Sequence, residues 1–191
     1  MMINAVRAGS IAQGSIAKKF EEACARWLRV DAGIATNSGT SALVLGLAVL
    51  GVGRGSEVIL PSYTCTAVLN AVVRSGATPV LVDNHDDIAT MNFNLIADAV
   101  GEAITPATRA IIVPHMFGTS ANVAAISALG VPVIEDITLA FGATTGDGRP
   151  VGSLGDLAVC SFHASKMIAC GEGGMLFGSQ DLALRARELN G

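Results

Sequence analysis

Short apolar runs alternate with helical patterns along most of the chain. The runs predict strands at residues 33–36, 58–60, 79–82, 110–113, 133–135, 157–160 and 175–178. Helical patterns lie between them, near residues 66–74, 95–103, 123–129 and 181–189, and an apolar helix follows the first strand as far as about Leu50. This alternation predicts an α/β fold of three layers, in which helices cover both faces of a mostly parallel sheet.

The segment before the first strand has a different pattern. In residues 18–29, Phe20, Ala23, Cys24, Trp27 and Leu28 recur on one face, and charged residues occupy most of the other. We interpret this segment as an amphipathic helix that packs by its apolar stripe and has no catalytic role. No repeat or linker interrupts the rest of the chain, so we expect an N-terminal segment and helix at residues 1–30 and one domain at residues 31–191.

Composition narrows the class of protein. Of the 191 residues, 51% are hydrophobic and 15% are charged, which indicates a sheet buried on both faces and an apolar surface covered by a partner. The net charge of −4, with scattered arginines, does not favour a nucleic acid as partner. The longest low-polarity run, residues 42–53, is too short to span a bilayer, and the N-terminus has no secretory pattern. We therefore expect no membrane anchor and a cytoplasmic location.

The cysteines and histidines are the residues of this chain that could bind a metal ion such as zinc. The chain has four cysteines: Cys24, Cys65, Cys160 and Cys170. Their apolar or small-residue settings, without paired spacing, predict reduced and buried thiols. Cys160, His163 and Cys170 lack a fourth ligand and a C-x-x-C pair, so no metal site is predicted. We interpret His115 and His163 as structural, and residues 85–87 as a solvated turn.

The residues able to do chemistry follow the predicted strands. Ligands of parallel sheets bind outside the carboxyl ends of the strands, so these residues are expected to meet at one rim. They are Ser38, Gly39, Thr40 and Ser41 after the first strand, residues 61–65 after the second, residues 115–117 after the fourth, Asp136 and Thr138 after the fifth, and Ser161, His163 and Lys166 after the sixth.

Three features of this rim meet the needs of pyridoxal phosphate. Residues 38–41 join a strand to a helix, where free amides and hydroxyls can hold a phosphate, although an ordinary helix N-cap has the same pattern. Lys166 follows a buried-type strand in a nearly uncharged stretch, which suits a Schiff-base lysine, with a surface lysine as the alternative. Asp136 could pair with the pyridine nitrogen, or it could simply cap a turn.

The sequence resembles the large domain of the DegT/DnrJ/EryC1/StrS family, the sugar aminotransferases of fold type I that depend on pyridoxal phosphate. The strings that carry the resemblance run through almost the whole chain: IAQGSIAKKFEE, TNSGTSAL, EVILPSYTCTAVLNAVVRSGATPVLVD, IIVPHMFG, VIEDITLAFGA, GDLAVCSFHASK and GEGGM. The resemblance implies a mostly parallel sheet of seven strands, whose last strand runs opposite to the others, and an active site shared across a dimer.

The resemblance also implies roles for individual residues. Lys166 matches the catalytic lysine that binds the cofactor, and Asp136 matches the partner of the pyridine nitrogen. Gly39, Thr40 and Ser161 match residues that hold the cofactor phosphate. The implied reaction moves an amino group from an amino acid, expected to be glutamate, to a keto-sugar carried on a nucleotide. Dehydrating members of the family carry His in place of the lysine, so Lys166 favours transamination.

The chain departs from the family pattern in three ways. Leu139 stands where the family has Gln, and Cys65 stands where an aromatic residue stacks on the cofactor ring. Tyr63, two positions before Cys65, would lie on the same side of an extended segment. Family members are about twice as long, so we expect the small C-terminal domain to be absent.

These departures leave two alternative functions open. One alternative is a truncated or split-gene product, inactive alone or paired with a C-terminal half. The other is a plain nucleotide-binding α/β domain in which Lys166 is incidental.

Overall fold

The computed structural model describes residues 7, 14–90 and 92–190. Its helices are α1 (Ser15–Leu28), α2 (Gly39–Val49), α3 (Thr66–Arg74), α4 (Ala97–Ala103), α5 (Val123–Ser127) and α6 (Gln180–Asn190). Its strands are β1 (Ala32–Thr36), β2 (Glu57–Pro61), β3 (Thr78–Val82), β4 (Thr108–Pro114), β5 (Val133–Asp136), β6 (Leu157–Ser161) and β7 (Gly174–Gly178). A short 3-10 helix, Met116–Gly118, follows β4. The strands lie where the apolar runs predicted them.

The seven strands form one sheet in the order β1-β7-β6-β5-β4-β2-β3. β7 is antiparallel to both of its neighbours, and the remaining pairs are parallel. The predicted mostly parallel sheet with a reversed last strand is confirmed. This topology brings the carboxyl ends of β1, β2, β4, β5 and β6 to one edge, where the polar residues that follow the strands can meet.

The sheet is buried on both faces. Successive residues of the central strand β4, Ile111 and Ile112, are both fully buried, although their side chains point to opposite sides. Ile112 belongs to the cluster under α2 and α3, whereas Ile111 packs with residues of α4 and α5. The continuous apolar runs of the sequence therefore reflect a three-layer architecture with apolar clusters on both faces of the sheet.

Helix α1 packs onto the outer part of the sheet, and Leu28 is fully buried. The predicted apolar face is wrong for Ala23 and Trp27, because both side chains are exposed. The buried Glu21 carboxylate of this helix accepts a hydrogen bond from the Ala35 amide of β1 at 2.8 Å and one from the Arg187 guanidinium of α6 at 3.0 Å. Residues 1–6 and 8–13 of the predicted N-terminal segment lie outside the described residues. None of the described helices combines the length and the apolar character that a membrane crossing requires.

Candidate active site

A cavity of about 310 Å³ opens at the carboxyl edge of the sheet. Its volume lies at the lower end of the range for small-molecule sites, roughly 300–1,000 Å³. The residues predicted to form a site all line it: Gly39, Thr40, Cys65, Asp136, Ser161 and Lys166. The expectation that a parallel sheet gathers these residues at one rim is met by the geometry.

One wall of the cavity is the turn from β1 into α2. The Ser38 hydroxyl accepts a hydrogen bond from the Ser41 amide at 3.1 Å, so Ser38 is the N-cap of α2. The first bond of the helix runs from the Ala42 amide to the Ser38 carbonyl at 3.0 Å. The amides of Gly39 and Thr40 precede that bond and have no acceptor within the helix. The N-cap interpretation is thus correct for Ser38, and it is compatible with a ligand on the next two amides.

Two glycines bring this turn close to the sheet. A Cβ atom on Gly39 would lie 2.7 Å from the Cβ atom of Ser161, at the end of β6. A Cβ atom on Gly174, at the start of β7, would lie 2.3 Å from the Ser38 carbonyl. No side chain fits at either position without moving the backbone. The glycines therefore build a cradle in which the Ser161 hydroxyl lies beside the first amides of α2.

Asp136 ends β5 and lines the cavity. Its Oδ1 accepts a hydrogen bond from the Thr138 amide at 3.0 Å, and the Thr138 hydroxyl accepts one from the Ser161 amide at 3.1 Å. Part of the Asp136 side chain is reachable through the cavity, but protein surrounds the rest. This burial raises the pKa of Asp136, against the opposing effects of the hydrogen bonds from Thr138 and the charge of Lys166. Thr138, which the sequence placed at the rim without a role, joins the two predicted site residues Asp136 and Ser161.

Lys166 lies in the loop of residues 162–173, between β6 and β7. Its amide donates to the His163 carbonyl at 2.9 Å, and the loop is closed by a bond from the Ala164 amide to the Gly171 carbonyl at 2.8 Å. The prediction of an uncharged, desolvated setting is wrong, because Lys166 is half-buried and shares the cavity with Asp136 and Glu172. The small residues around Lys166 in the sequence form an exposed loop instead of a buried wall.

Next to the cavity lies a polar cluster that the sequence did not reveal. The fully buried Glu135 carboxylate accepts hydrogen bonds from His115 Nε2 at 2.8 Å and from the amides of Gly152, Leu154 and Gly155 at 2.9, 2.7 and 2.6 Å. Burial by itself would raise the pKa of Glu135. The hydrogen bonds from His115, Gly155 and Leu154 outweigh the effect of burial, so the pKa of Glu135 is lowered. We call these five residues the Glu135 cluster. The signal for it was an acidic residue inside an otherwise apolar strand.

The structural role predicted for His115 agrees with this geometry. His115 is fully buried, and its Nδ1 accepts a hydrogen bond from the Ala121 amide at 3.0 Å. Because Nδ1 is an acceptor, the ring proton lies on Nε2 and is donated to Glu135. His115 lines the cavity, yet both of its nitrogens are already used by the protein.

The four thiols fall into two classes, so the prediction that all are buried is wrong for two of them. Cys24 and Cys160 are buried, and burial raises the pKa of both thiols, that of Cys24 to about 11. Cys65 and Cys170 are exposed, because one precedes the first turn of α3 and the other lies in the loop after β6. Cys160 is in the core while His163 and Cys170 are on the surface, and the described residues contain no group of three metal ligands.

Tyr63 does not take the place of the missing aromatic residue. The chain bends after β2, and the Tyr63 amide donates to Asn84 Oδ1 at 3.0 Å. The centroid of the Tyr63 ring lies 6.0 Å from that of Phe93 and 6.5 Å from that of Phe117. Tyr63 lines a different cavity, whereas Cys65 and Leu139 line the one that contains Lys166.

Known proteins similar to this chain share both its sequence and its fold. A profile of the DegT/DnrJ/EryC1/StrS aminotransferase family matches residues 1–190. GDP-perosamine synthase of Caulobacter vibrioides is 43% identical over 183 residues, which are 93% of this chain and 48% of that protein. DesV of S. venezuelae is similar in structure, with a TM-score of 0.88, 37% identity, and coverage of 97% of this chain and 51% of that chain.

A third similar protein is Spr1654 of Streptococcus pneumoniae, in its PLP form. Its TM-score is 0.90 at 29% identity, and the match covers 98% of this chain and 53% of that chain. The chain therefore spans about half the length of the relatives that it matches.

Proposed function

Because the chain belongs to the DegT/DnrJ/EryC1/StrS aminotransferase family, we propose that it is the pyridoxal-phosphate-binding part of a nucleotide-sugar aminotransferase. The reaction would move an amino group from an amino acid, expected to be glutamate, to a keto-sugar carried on a nucleotide. One observation carries the proposal. A single cavity unites a lysine, a buried carboxylate and a glycine-built cradle of amides and hydroxyls.

The residues of the cavity fit pyridoxal phosphate. The amides of Gly39 and Thr40 and the hydroxyls of Thr40 and Ser161 would hold the phosphate at the positive end of α2. A side chain on Gly39 would fill this cradle, since its Cβ atom would contact Ser161 at 2.7 Å. Asp136 would face the pyridine nitrogen, and Cys65 would lie along the ring. The chemical groups present are those that the cofactor requires.

The cofactor would supply an aldehyde that reacts with amines and a ring that withdraws electrons from the bond to be broken. Lys166 would hold the cofactor through Nζ until an amino donor replaces it, and the freed amine would then carry a proton as general acid and base. Asp136 would be kept ionised by a cation at the ring nitrogen, which offsets the effect of burial on its pKa. Thr138 would orient Asp136 through its amide.

Capture of the cofactor on Lys166 tests this assignment directly. The chain has only three lysines, Lys18, Lys19 and Lys166, so borohydride reduction with pyridoxal phosphate followed by peptide mass mapping gives an unambiguous result. We expect the label on Lys166 in the unmodified chain and in the matched control Lys19→Arg. We expect no label in Lys166→Arg. Label that is spread over Lys18 and Lys19, or that persists in Lys166→Arg, would contradict the proposal and favour an incidental lysine.

Turnover is a separate question from cofactor capture. Amino transfer from glutamate to a nucleotide-linked keto-sugar should be measured for the chain alone and after a C-terminal half is added. Activity only in the mixture would identify a split enzyme. Capture on Lys166 without turnover in either case would favour an inactive product that keeps the fold. The homodimer and the cytoplasmic location stay predictions.

A further inference from the structure

A second cavity, of about 560 Å³, lies beside the first one at the same rim. Tyr63, Phe93, Asp83 and Asp86 line it, together with Asn84. The two cavities have no lining residue in common, but the same chain segment serves both. Tyr63 lines the second cavity, and Cys65, two residues later, lines the first. A ligand that reaches out of the first cavity would therefore pass along this segment toward the second.

Tyr63 and Phe93 line the second cavity, and Phe117 packs against both rings; we call these three residues the aromatic cluster. The Phe93 and Phe117 centroids are 5.7 Å apart in an edge-to-face arrangement, and the Tyr63 ring lies within 6.5 Å of both. Tyr63 is 54% exposed and Phe117 is 52% exposed. Large apolar rings that are held together while half-exposed offer a stacking surface to a flat ligand.

The protein fixes this cluster in place. Asn84 Oδ1 accepts a hydrogen bond from the Tyr63 amide at 3.0 Å, and Asn84 Nδ2 donates to the Phe93 carbonyl at 2.7 Å. Phe117 has a φ angle of 52°, a left-handed conformation that is rare for a bulky residue. Such strain costs on the order of 1–3 kcal/mol and tends to occur at functional sites. The strained segment, Met116–Gly118, directly follows His115, which lines the first cavity.

The charge of the second cavity restricts its ligand. Asp83 and Asp86 supply carboxylates and His85 supplies an imidazole, and among the described residues that line this cavity none is Lys or Arg. Two carboxylates outweigh one imidazole, so a phosphate group would be repelled. A flat ring that carries N–H groups would instead stack on the aromatic cluster and donate hydrogen bonds to the carboxylates.

We propose that the second cavity binds the nucleobase of the nucleotide-sugar substrate. This inference rests on the proposed function, because the keto-sugar must reach Lys166 in the first cavity. Only the end of the substrate remote from the sugar, the nucleoside, can then enter the second cavity. The diphosphate would lie between the two cavities, away from Asp83 and Asp86.

The single tyrosine of the chain provides the test. Tyr63 gives the only set of tyrosine ring resonances, so NMR titration of the full chain without cofactor reports on this cavity alone. The probes are guanosine, methyl α-glucoside and inorganic phosphate. We expect guanosine to move the Tyr63 resonances in a saturable way, with little effect of the other two. Unmoved resonances with guanosine, or an equal response to methyl α-glucoside or phosphate, would overturn the proposal.

A variant then checks that the aromatic cluster is responsible. Phe93→Leu removes an aromatic ring that lines the cavity, so it should weaken guanosine binding about tenfold or more, the size of one lost stacking contact. The matched control Val73→Ala, an exposed apolar residue on α3, should leave the affinity unchanged. Cofactor capture on Lys166 should be the same in both variants, which shows that they are folded. Equal guanosine affinity in Phe93→Leu and in the unmodified chain would refute the stacking site.

The test separates this inference from the proposed function. Cofactor capture without guanosine binding would leave the aminotransferase assignment intact and reject the nucleobase site. Guanosine binding without capture on Lys166 would reject the aminotransferase assignment, and with it the placement of the substrate along the two cavities.

Discussion

Glu135 and Asp136 are adjacent on β5, but their side chains point to opposite faces of the sheet and belong to two different regions. Four hydrogen bonds from the protein satisfy the Glu135 carboxylate, and its pKa is lowered. Asp136 accepts a backbone bond from Thr138, faces a cavity, and has a raised pKa. The Glu135 cluster is complete without a ligand, whereas the cavity holds a carboxylate that a cation would stabilise.

Polar groups at one rim can be divided into structural and functional ones by whether the protein supplies all their hydrogen-bond partners. A buried charge is tolerated when the protein supplies all its partners, and it then contributes to folding. A buried carboxylate with incomplete partners costs stability, and such groups concentrate at functional sites.

Loss of the Glu135 carboxylate should have the largest effect. Glu135→Ala leaves His115 and three buried amides without their acceptor, which should lower the free energy of unfolding by about 3–5 kcal/mol at neutral pH. Because the folded pKa of Glu135 is lowered, its contribution is present above the unfolded pKa and is lost as the pH falls through the folded value. Urea unfolding at several pH values measures both effects.

The control for this measurement is Glu22→Ala, because Glu22 lies on the exposed face of α1. We expect this control to change the free energy of unfolding by less than about 0.5 kcal/mol. A change in Glu135→Ala that is as small as that of the control would mean that water replaces the carboxylate, and the cluster would not be the closed unit described above.

Strand β6 shows the same contrast between neighbouring residues, because Cys160 faces the core and the next residue, Ser161, faces the cavity. Burial and a raised pKa should make Cys24 and Cys160 react with a disulfide reagent at least about 100-fold more slowly than Cys65 and Cys170. A time course at mild alkaline pH should show two fast thiols and two slow ones. In a Cys65→Ser and Cys170→Ser double variant the fast phase should vanish. A single phase for all four thiols would contradict the assignment.

The sequence could predict the strands and the rim residues, because both follow from local patterns. Apolar runs mark strands that are buried on both faces, and parallel strands bring Gly39, Asp136, Ser161 and Lys166 to one edge whatever the details of packing. The parallel direction of the strands was enough to place these residues at one edge. The resemblance to the family then singled out the individual site residues among them.

The same patterns could not predict contacts between distant loops. The bonds of Glu135 come from His115 and from residues 152–155, which are separated from it in sequence and meet it only in the fold. The direction of Tyr63 depends on a hydrogen bond to Asn84, 21 residues away. The exposure of Cys65 and Cys170 depends on where the loops lie. Small residues look alike in sequence whether they form a core or an open loop.

Removal of the charge at Asp136 should have the opposite sign to the loss of Glu135. Without cofactor, Asp136→Asn should raise the free energy of unfolding by about 1 kcal/mol at pH 8, because the substitution removes a charge whose desolvation disfavours the folded state. The folded pKa of Asp136 is raised, so its penalty is absent below the unfolded pKa of about 4 and grows as the pH rises through the folded value. The two proteins should therefore be equally stable near pH 3.

Urea unfolding at pH 3 and pH 8 checks this prediction, and cofactor titration of the same variant completes it. Asp136→Asn should bind pyridoxal phosphate more weakly even though the protein is more stable. A variant that is less stable at both pH values would mean that Asp136 is a satisfied structural residue, like Glu135, and the contrast between the two regions would fail.

The smallest expected effect concerns Cys65, which is exposed on the cavity wall. Cys65→Phe adds an aromatic face where the cofactor ring is proposed to lie, and such a contact is worth about 0.5–1.5 kcal/mol, or roughly two- to tenfold in affinity. Titration with pyridoxal phosphate measures it, with Cys170→Phe as the control, because Cys170 is exposed but does not line the cavity. If both variants gain equally, the effect is general and Cys65 does not face the ring. A gain at Cys65 alone would mean that the cavity accepts new contacts, as a region completed by its ligand should, whereas the Glu135 cluster tolerates no change.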